Sequence, residues 1–410
     1  MATSDRAVPI VLAAVLIDTI GFGIVIPVLP QLILRLSHAS LAEATRIGGY
    51  MLIAFAAAQF LAGPVIGNLG DRYGRRPVIL ACMLAFGVDY ALMAFAPSIG
   101  WLFLGRVIAG VTGAIYGPAN AVLADVTPPE QRGARFGVMG AMFGLGFILG
   151  PALGGLLAGI DPRAPFLAAA GIALANALWI ALLLPETLAP ENRRAFDWRR
   201  ANALGAFAPL AKAGGAAPLI LAVLVWQLAH MAYPASWAFW AKIRFNWSED
   251  QIGWSLAASG AVMIVTQALV TKRAIAWLGE ARAMLIGITV GTLSFAAYAL
   301  IPSPGLVYAV IALGFAQWFV FPASNALLSR LVDARNQGAL QGGMASVGSV
   351  AQVLGPLLMT QALAAGDEAG FPGAAFALAA GLGVIAMLII ARFVLPRLSR
   401  AVAPPDRAPI

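Results

Sequence analysis

The chain has 410 residues, of which 61% are hydrophobic and only 11% charged, with a mean hydropathy of +0.86. A soluble domain carries about twice that charge fraction, so the composition is that of a polytopic membrane protein. The net charge is +8, and the single cysteine, Cys82, excludes an internal disulfide and a cysteine-based metal cluster. The charge does not point to nucleic acid, because the basic residues fall on loops between apolar runs rather than on one domain.

A spanning helix needs roughly 20 mostly apolar residues. The sequence supplies twelve such runs, at 8–30, 47–69, 77–95, 99–122, 135–159, 165–184, 216–239, 252–270, 283–301, 304–328, 340–363 and 371–394. The first contains Asp18 and has no small-residue cleavage site, so it is expected to stay in the protein rather than leave as a signal peptide. Between the second and third runs lies Gly67–Pro77, G-N-L-G-D-R-Y-G-R-R-P, dense in charge and turn residues. It reads as a membrane-surface loop held on one side by Arg72, Arg75 and Arg76. A sharper reading is a gating hinge, with Asp71 and the arginines pairing to neighbouring helix ends.

Lysine and arginine set an expected orientation. If both termini are cytoplasmic, the inward segments hold Arg6, Arg132, Arg135, Arg193, Arg194, Arg199, Arg200, Lys212, Lys272, Arg273, Arg282, Arg330, Arg335, Arg392, Arg397, Arg400 and Arg407 besides the three of the hinge. The outward segments then hold only Arg35, Arg46, Arg163, Lys242 and Arg244, and Arg106 lies inside the fourth run. A multi-pass protein of a bacterial inner membrane is expected. The polar, basic stretch 185–215 reads as a cytoplasmic linker between two six-helix bundles, 1–184 and 216–410. Residues 205 apart match across it: Gly133-Ala134 with Gly338-Ala339, Gly150-Pro151 with Gly355-Pro356, Asn120-Ala121 with Asn325-Ala326, and Gly74 with Gly279. A parallel repeat of six helices is a transporter architecture with its substrate site near the midplane.

Charge inside a bilayer costs about 2.5–3.5 kcal/mol per residue on insertion scales, and Asp18, Asp89 and Arg106 accept that cost. At ~1.5 Å rise per residue, all three fall near one depth, roughly 15–20 Å from the inside. The short connection between the third and fourth runs makes Asp89 and Arg106 neighbours. Two readings stand: an ion pair that fixes the hairpin, or a site whose acids change protonation. Burial disfavours a carboxylate's charged form and a nearby arginine favours it, so two acids around one guanidinium suit proton coupling. The first reading leaves Asp18 with no partner.

Gln59 in the second run, Asn176 in the sixth and Gln227 in the seventh can hydrogen-bond a solute or a neighbouring helix. His230 reads first as a neutral packing histidine and is kept as a substrate contact. Trp226, Trp237, Trp240, Trp247 and Trp254 cluster around the seventh and eighth runs. Those near the ends suit an interfacial belt, and Trp237 is a candidate for an aromatic substrate. Gly137, Gly140 and Gly144, then Gly150, Pro151 and Gly154, give the fifth run a small-sided face and a bending point. No lysine follows a glycine, which excludes a P-loop of the G-K-[ST] type. The string Gly381–Ala386 fits a dinucleotide fingerprint only on paper, since it sits in an apolar helix with no strand before it. No enzyme chemistry, resident metal or cofactor is expected.

The motifs Gly67–Pro77, Leu102–Gly110 and Gly144–Gly155 resemble those of the major facilitator superfamily, and within it the twelve-helix drug/proton antiporters. Leu16–Gly21, Pro27–Pro30, Val88–Tyr90, Gly338–Gly342, Arg244–Trp247 and Trp254–Ala257 extend the likeness to bacterial tetracycline-resistance antiporters. The resemblance implies an all-α membrane fold of two pseudo-repeated six-helix bundles that exports an amphipathic small molecule in exchange for protons; a monomer is favoured, with the oligomeric state left open. It implies transport and coupling roles for Asp18, Gln59, Asp89 and Arg106, and a cytoplasmic charge relay of Asp71, Arg75 and Asp125. A tetracycline-like cargo would be carried as a divalent-cation chelate. Met263 and Gly291 stand where the well-known tetracycline exporters have a histidine and an aspartate, so coupling is expected to rest on the first half. The alternatives are a facilitator or proton symporter for a sugar or organic acid, and a non-transporting membrane receptor or assembly factor.

Overall fold

The computed structural model describes residues 4–198, 216–330 and 337–396. Of the expected inward cations, Arg199, Arg200, Lys212, Arg335, Arg397, Arg400 and Arg407 lie outside the described residues. Within them, twelve helices are long and apolar enough to cross a membrane. They are α1 (Ser4–Ser37), α2 (Leu41–Tyr73), α3 (Arg75–Ala94), α4 (Ile99–Val126), α5 (Pro129–Ala158), α6 (Ala164–Leu183), α7 (Ala217–Phe245), α8 (Glu249–Leu278), α9 (Glu280–Leu300), α10 (Pro304–Ser329), α11 (Gln337–Glu368) and α12 (Ala374–Val394).

Several helices outrun their apolar windows; α2 begins six residues before its window at 47 and ends four after 69. A helix that stopped inside the bilayer would strand four N–H or C=O groups in lipid, so the ends are carried out to the polar boundary. There they are capped. Ser40 accepts from the Glu43 amide at 3.2 Å, and Ser248 with Gln251 forms a capping box on α8. Gly74, at φ +106°, turns α2 into α3, and Gly279, at φ +77°, turns α8 into α9. A side chain is strained at such angles, which gives the matching glycines 205 residues apart a common cause.

Two interruptions follow from proline. Pro118 has no N–H to give the Ala114 carbonyl, and α4 tightens into a 3₁₀ turn at Gly113–Ile115. Pro234 does the same to His230, and α7 bends at Met231.

In the first half α1 packs on α5 and α6, and α3 on α4 and α6. In the second, α9 and α7 both pack on α12. The halves meet along α5 against α8 and α2 against α11. These contacts gather at the end away from Gly67–Pro77. Arg46 holds Glu368 across the halves through two bonds of 2.7 and 2.8 Å, and Gln31 of α1 reaches the Glu249 carboxylate, which Lys242 holds at 2.7 Å within the second half. At the basic end a methyl group built on Gly63, Gly67, Gly137 or Gly140 would meet nothing within 4 Å. The bundle is closed at one end and parted at the other.

Candidate functional site

The three membrane charges are buried: Asp89 fully, Arg106 to 3% exposure and Asp18 to 5%. Arg106 Nη2 lies 3.8 Å from Asp89 Oδ2 and donates to Met93 Sδ at 2.7 Å. Charge-assisted hydrogen bonds run about 2.7–2.9 Å, so this pair attracts without bonding. Both Asp89 oxygens, Arg106 Nε and Asp18 Oδ1 have no hydrogen-bond partner among the described residues. Gly105 explains how α3 and α4 come so close, because a Cβ there would sit 2.7 Å from Asp89 Oδ1. Arg106 also lines a small cavity of ≈ 30 Å³ between the halves, with Phe22, Leu52, Ala235 and Phe239.

Asp18 is not isolated. It lies beside α4, where the Tyr116 hydroxyl is 2.7 Å from Oγ1 of the adjacent Thr19. On the other side Tyr90 of α3 fills the space beside Gly21, where a Cβ would lie 2.8 Å from its hydroxyl. Tyr90 thereby stands between Asp18 and the Asp89–Arg106 pair.

The hinge at the basic end is a second charged site. Asp71 Oδ1 accepts from Arg75 Nη1 at 2.5 Å, Arg75 Nε reaches Asp125 Oδ2 at 3.4 Å, and Thr187 donates to the same oxygen. Glu186 caps the start of α3, accepting from the amides of Arg75 at 2.9 Å and Arg76 at 3.2 Å. Its carboxylate fills the space where a Gly74 Cβ would stand. The Arg76 guanidinium donates to the Ala181 carbonyl, and Arg72 lies over Tyr73. The stretch after α6 is tied down beside the hinge: the Arg194 amide donates to Asp71 O at 3.0 Å and Asn68 to Asp197 O at 2.7 Å. All these bonds stay within the first half and the start of the linker.

Helix α5 connects hinge and interface. Gly150 and Gly154 press against the Ile20 and Ile24 carbonyls of α1, while Pro151 and Gly155 face Gly253 and Glu249 of α8. Small side chains on two faces let one helix touch both halves at backbone distance. Gly67 has no neighbour in this arrangement.

The Major Facilitator Superfamily model matches residues 11–356 and 219–409. The chain is 36% identical to the class C tetracycline resistance protein of Escherichia coli, over 95% of this chain and 97% of that one. It belongs to the Major Facilitator Superfamily. It is also 27% identical to multidrug resistance protein 1 of Bacillus subtilis (strain 168), over 87% and 90% of the two chains. Among solved structures, a human organic anion transporter superposes with a TM-score of 0.70 at 25% identity, over 94% and 99% of the two chains. As a superfamily member the protein is a membrane transporter, not an enzyme, and a multi-pass protein of the inner membrane with the twelve-helix fold.

This superfamily member places the other candidate contacts unevenly. Gln59 donates to the Gly113 carbonyl at 3.1 Å and so holds the α4 turn. Asn176 is buried between α6 and α3 against Met83 Sδ, with its carbonyl unpartnered. Gln227 turns toward Gly348 of α11. His230 sits half-buried among Trp226, Tyr233 and Trp318, with ring centroids 5.1–6.1 Å away.

The structure places Trp237 in the core instead of a cavity. It is 1% exposed, its indole N–H donates to Ser255 Oγ at 2.8 Å, and its ring packs on Tyr298 and Phe376. The tryptophan belt is likewise corrected. Trp240 and Trp247 are buried and only Trp254 of the five is exposed, because α7 runs on to Phe245 and turns its aromatic face to α9 and α12. At Gly291 a Cβ would collide with the Trp226 ring and lie 3.1 Å from Gln317 Cβ, so an acid has no room there. Among the described residues no three His, Cys, Asp or Glu side chains come together.

Sequence reasoning missed Glu186, Tyr116, Thr19 and Tyr90. Glu186 had a signal, an acid directly after an apolar run in a basic linker. The hydroxyls had none, since a tyrosine or threonine in a membrane helix is unremarkable until its neighbours are known.

Proposed function

We propose that the protein is a proton-driven exporter of amphipathic small molecules or drugs, tetracycline-like compounds included. The moving units are 1–184 and 216–410, joined by the linker 185–215, and both termini are cytoplasmic. The parted end then faces the cytoplasm, where cargo enters, and the end closed by Arg46–Glu368 and by Gln31 against Glu249 faces outward. A tetracycline-like cargo travels as a divalent-cation chelate, the metal being cargo.

One observation carries the reading. Asp18 and Asp89 are buried inside membrane helices with open acceptor oxygens, and the one arginine of the site, 3.8 Å from Asp89, also faces the cavity between the halves. A structural ion pair would use those oxygens. Carboxyls that leave them free are suited to take and give protons, and Arg106 biases the exchange by favouring the charged form. Asp71, Arg75 and Asp125 govern opening at the basic end.

The test is drug-driven proton release from vesicles. Replacing Asp18 or Asp89 by Asn is expected to lower it by about a hundredfold or more with the protein still folded, the scale of losing a positioned proton carrier. Proton release equal to the parent's in both variants would overturn the assignment, and drug and protons moving in the same direction would make the protein a symporter.

A further inference from the structure

Helix α3 offers Arg106 two acceptors one turn apart, Asp89 and Met93, whose spacing sets them on one face. Arg106 Nη2 donates to Met93 Sδ at 2.7 Å and stops 3.8 Å short of Asp89 Oδ2. Arg106 Nε has no hydrogen-bond partner, and neither has either Asp89 oxygen. An arginine grips a carboxylate best through two parallel N–H···O bonds. Nε, Nη2 and the two carboxyl oxygens are the four atoms of such a clasp. All four are buried together, and the clasp is not made.

Met93 is what stands in its way. A thioether is a weak acceptor, and a guanidinium free to choose pairs with a carboxylate instead. Packing holds the methionine in place: it is 1% exposed, and a Cβ on Gly105 would lie 2.9 Å from its Cγ and 3.3 Å from its Sδ. The same absent side chain makes room for Asp89 Oδ1, 2.7 Å from that Cβ position. Gly105 thus admits the acid and the sulfur side by side against α4. The sulfur is uncharged, so it occupies Nη2 without favouring an ionised Asp89.

We infer that Met93 is a positioning residue for proton exchange: it gives Arg106 a neutral resting place off Asp89, and the acid keeps its proton until the guanidinium swings across. The inference rests on the reading of Asp89 as a proton carrier. The charged group that faces Asp89 from α4 is Arg106 itself. Tyr90 follows Asp89 on α3, and Asp18 of α1 lies beyond Tyr90. From α6 the residue set against this stretch of α3 is Leu174, over Gly87. Around the cavity at Arg106, α2 presents Leu52 and α7 presents Pro234, Ala235 and Phe239, none of which ionises. Arg106 is therefore the cation through which a change at Met93 reaches the acid.

The test is an infrared titration of the full-length protein in detergent, because a protonated carboxyl gives a C=O band that a carboxylate lacks. Asp89→Asn identifies the Asp89 band by difference. In the parent the band is expected to fade through one transition as pH rises. Met93→Leu conserves volume and removes the acceptor. Arg106 then closes on Asp89 and favours its charged form, so the transition is expected about one pH unit lower, the low end of what a bonded arginine does to an acid. Drug-driven proton release, which needs a proton on Asp89, is expected to fade over the same lowered range.

Met93→Gln supplies a neutral acceptor of similar reach, and its transition is expected at the parent's pH or above it. A packing role alone would make glutamine the more disruptive of the two substitutions. A Met93→Leu transition at the parent's pH overturns the inference. So does a Met93→Gln transition below the parent's, which decides the matter if Met93→Leu does not fold. An Asp89 band absent from the parent at every pH would instead strike the reading of Asp89 as a proton carrier, and this inference with it.

Discussion

The two halves of this transporter share a fold and divide its chemistry. The first half encloses two acids and an arginine with open hydrogen-bonding positions, and carries the Asp71–Arg75–Asp125 relay at its basic end. The second half is built around rings: Trp237, Trp240, Tyr298 and Phe376 pack together, and Trp226 covers Gly291. At the position of Asp71 the second half has Ala276, while both halves keep the glycine turn, Gly74 and Gly279. A repeat thus conserves what backbone geometry demands and leaves the charges free to differ. The half that pays for buried charge is polar and poised; the other is packed like a core.

That contrast can be attacked from each side. Trp237→Ala is expected to be the largest loss, about 3–5 kcal/mol of stability, because it empties a packed aromatic cluster and removes the indole donor from Ser255 Oγ. Thermal unfolding in detergent measures it, and a folded remnant should carry the same compounds as the parent. Unchanged stability with an altered substrate profile would move Trp237 back into the binding site.

Gly291→Asp asks whether the second half can accept an acid at all. The collision with Trp226 predicts about 1–3 kcal/mol of overpacking, with the uncompensated charge in addition. The double variant with Trp226→Ala should recover part of the loss. A single variant as stable as the parent would show that the aromatic packing yields easily and that the asymmetry is not enforced by space.

The smallest effect tests the first half. Glu186→Ala removes the cap on α3 and should cost about 0.5–2 kcal/mol. Transport should slow with the substrate range unchanged, read by export rates for several compounds. A shifted range would place the hinge in substrate selection and blur the division between gate and carrier.

Much of the candidate site was legible in the chain. The Asp89–Arg106 contact follows from two charges at one depth on a tight hairpin, and Gly105 marks where the helices close. The relay of Asp71, Arg75 and Asp125 came through resemblance, and the structure brings those three together. Glu186 and the Tyr116–Thr19 pair were not legible, because their partners lie about a hundred residues away, on helices whose rotation no periodicity states. The tryptophans failed for the same reason. An end-of-helix tryptophan suits an interface and a core equally, and only the packing of α7 on α9 and α12 decides.

By itself the sequence determined the number of spans, the repeat and the identity of the buried charges. Each is written in the cost of putting polar groups into lipid, which acts residue by residue along the chain. The tertiary structure alone decided which end of the bundle is closed, which rings are core, and which hydroxyl meets Thr19. Those depend on how twelve helices rotate and lean against one another, and backbone contacts at glycines such as Gly150 and Gly154 fix that once the whole bundle is assembled.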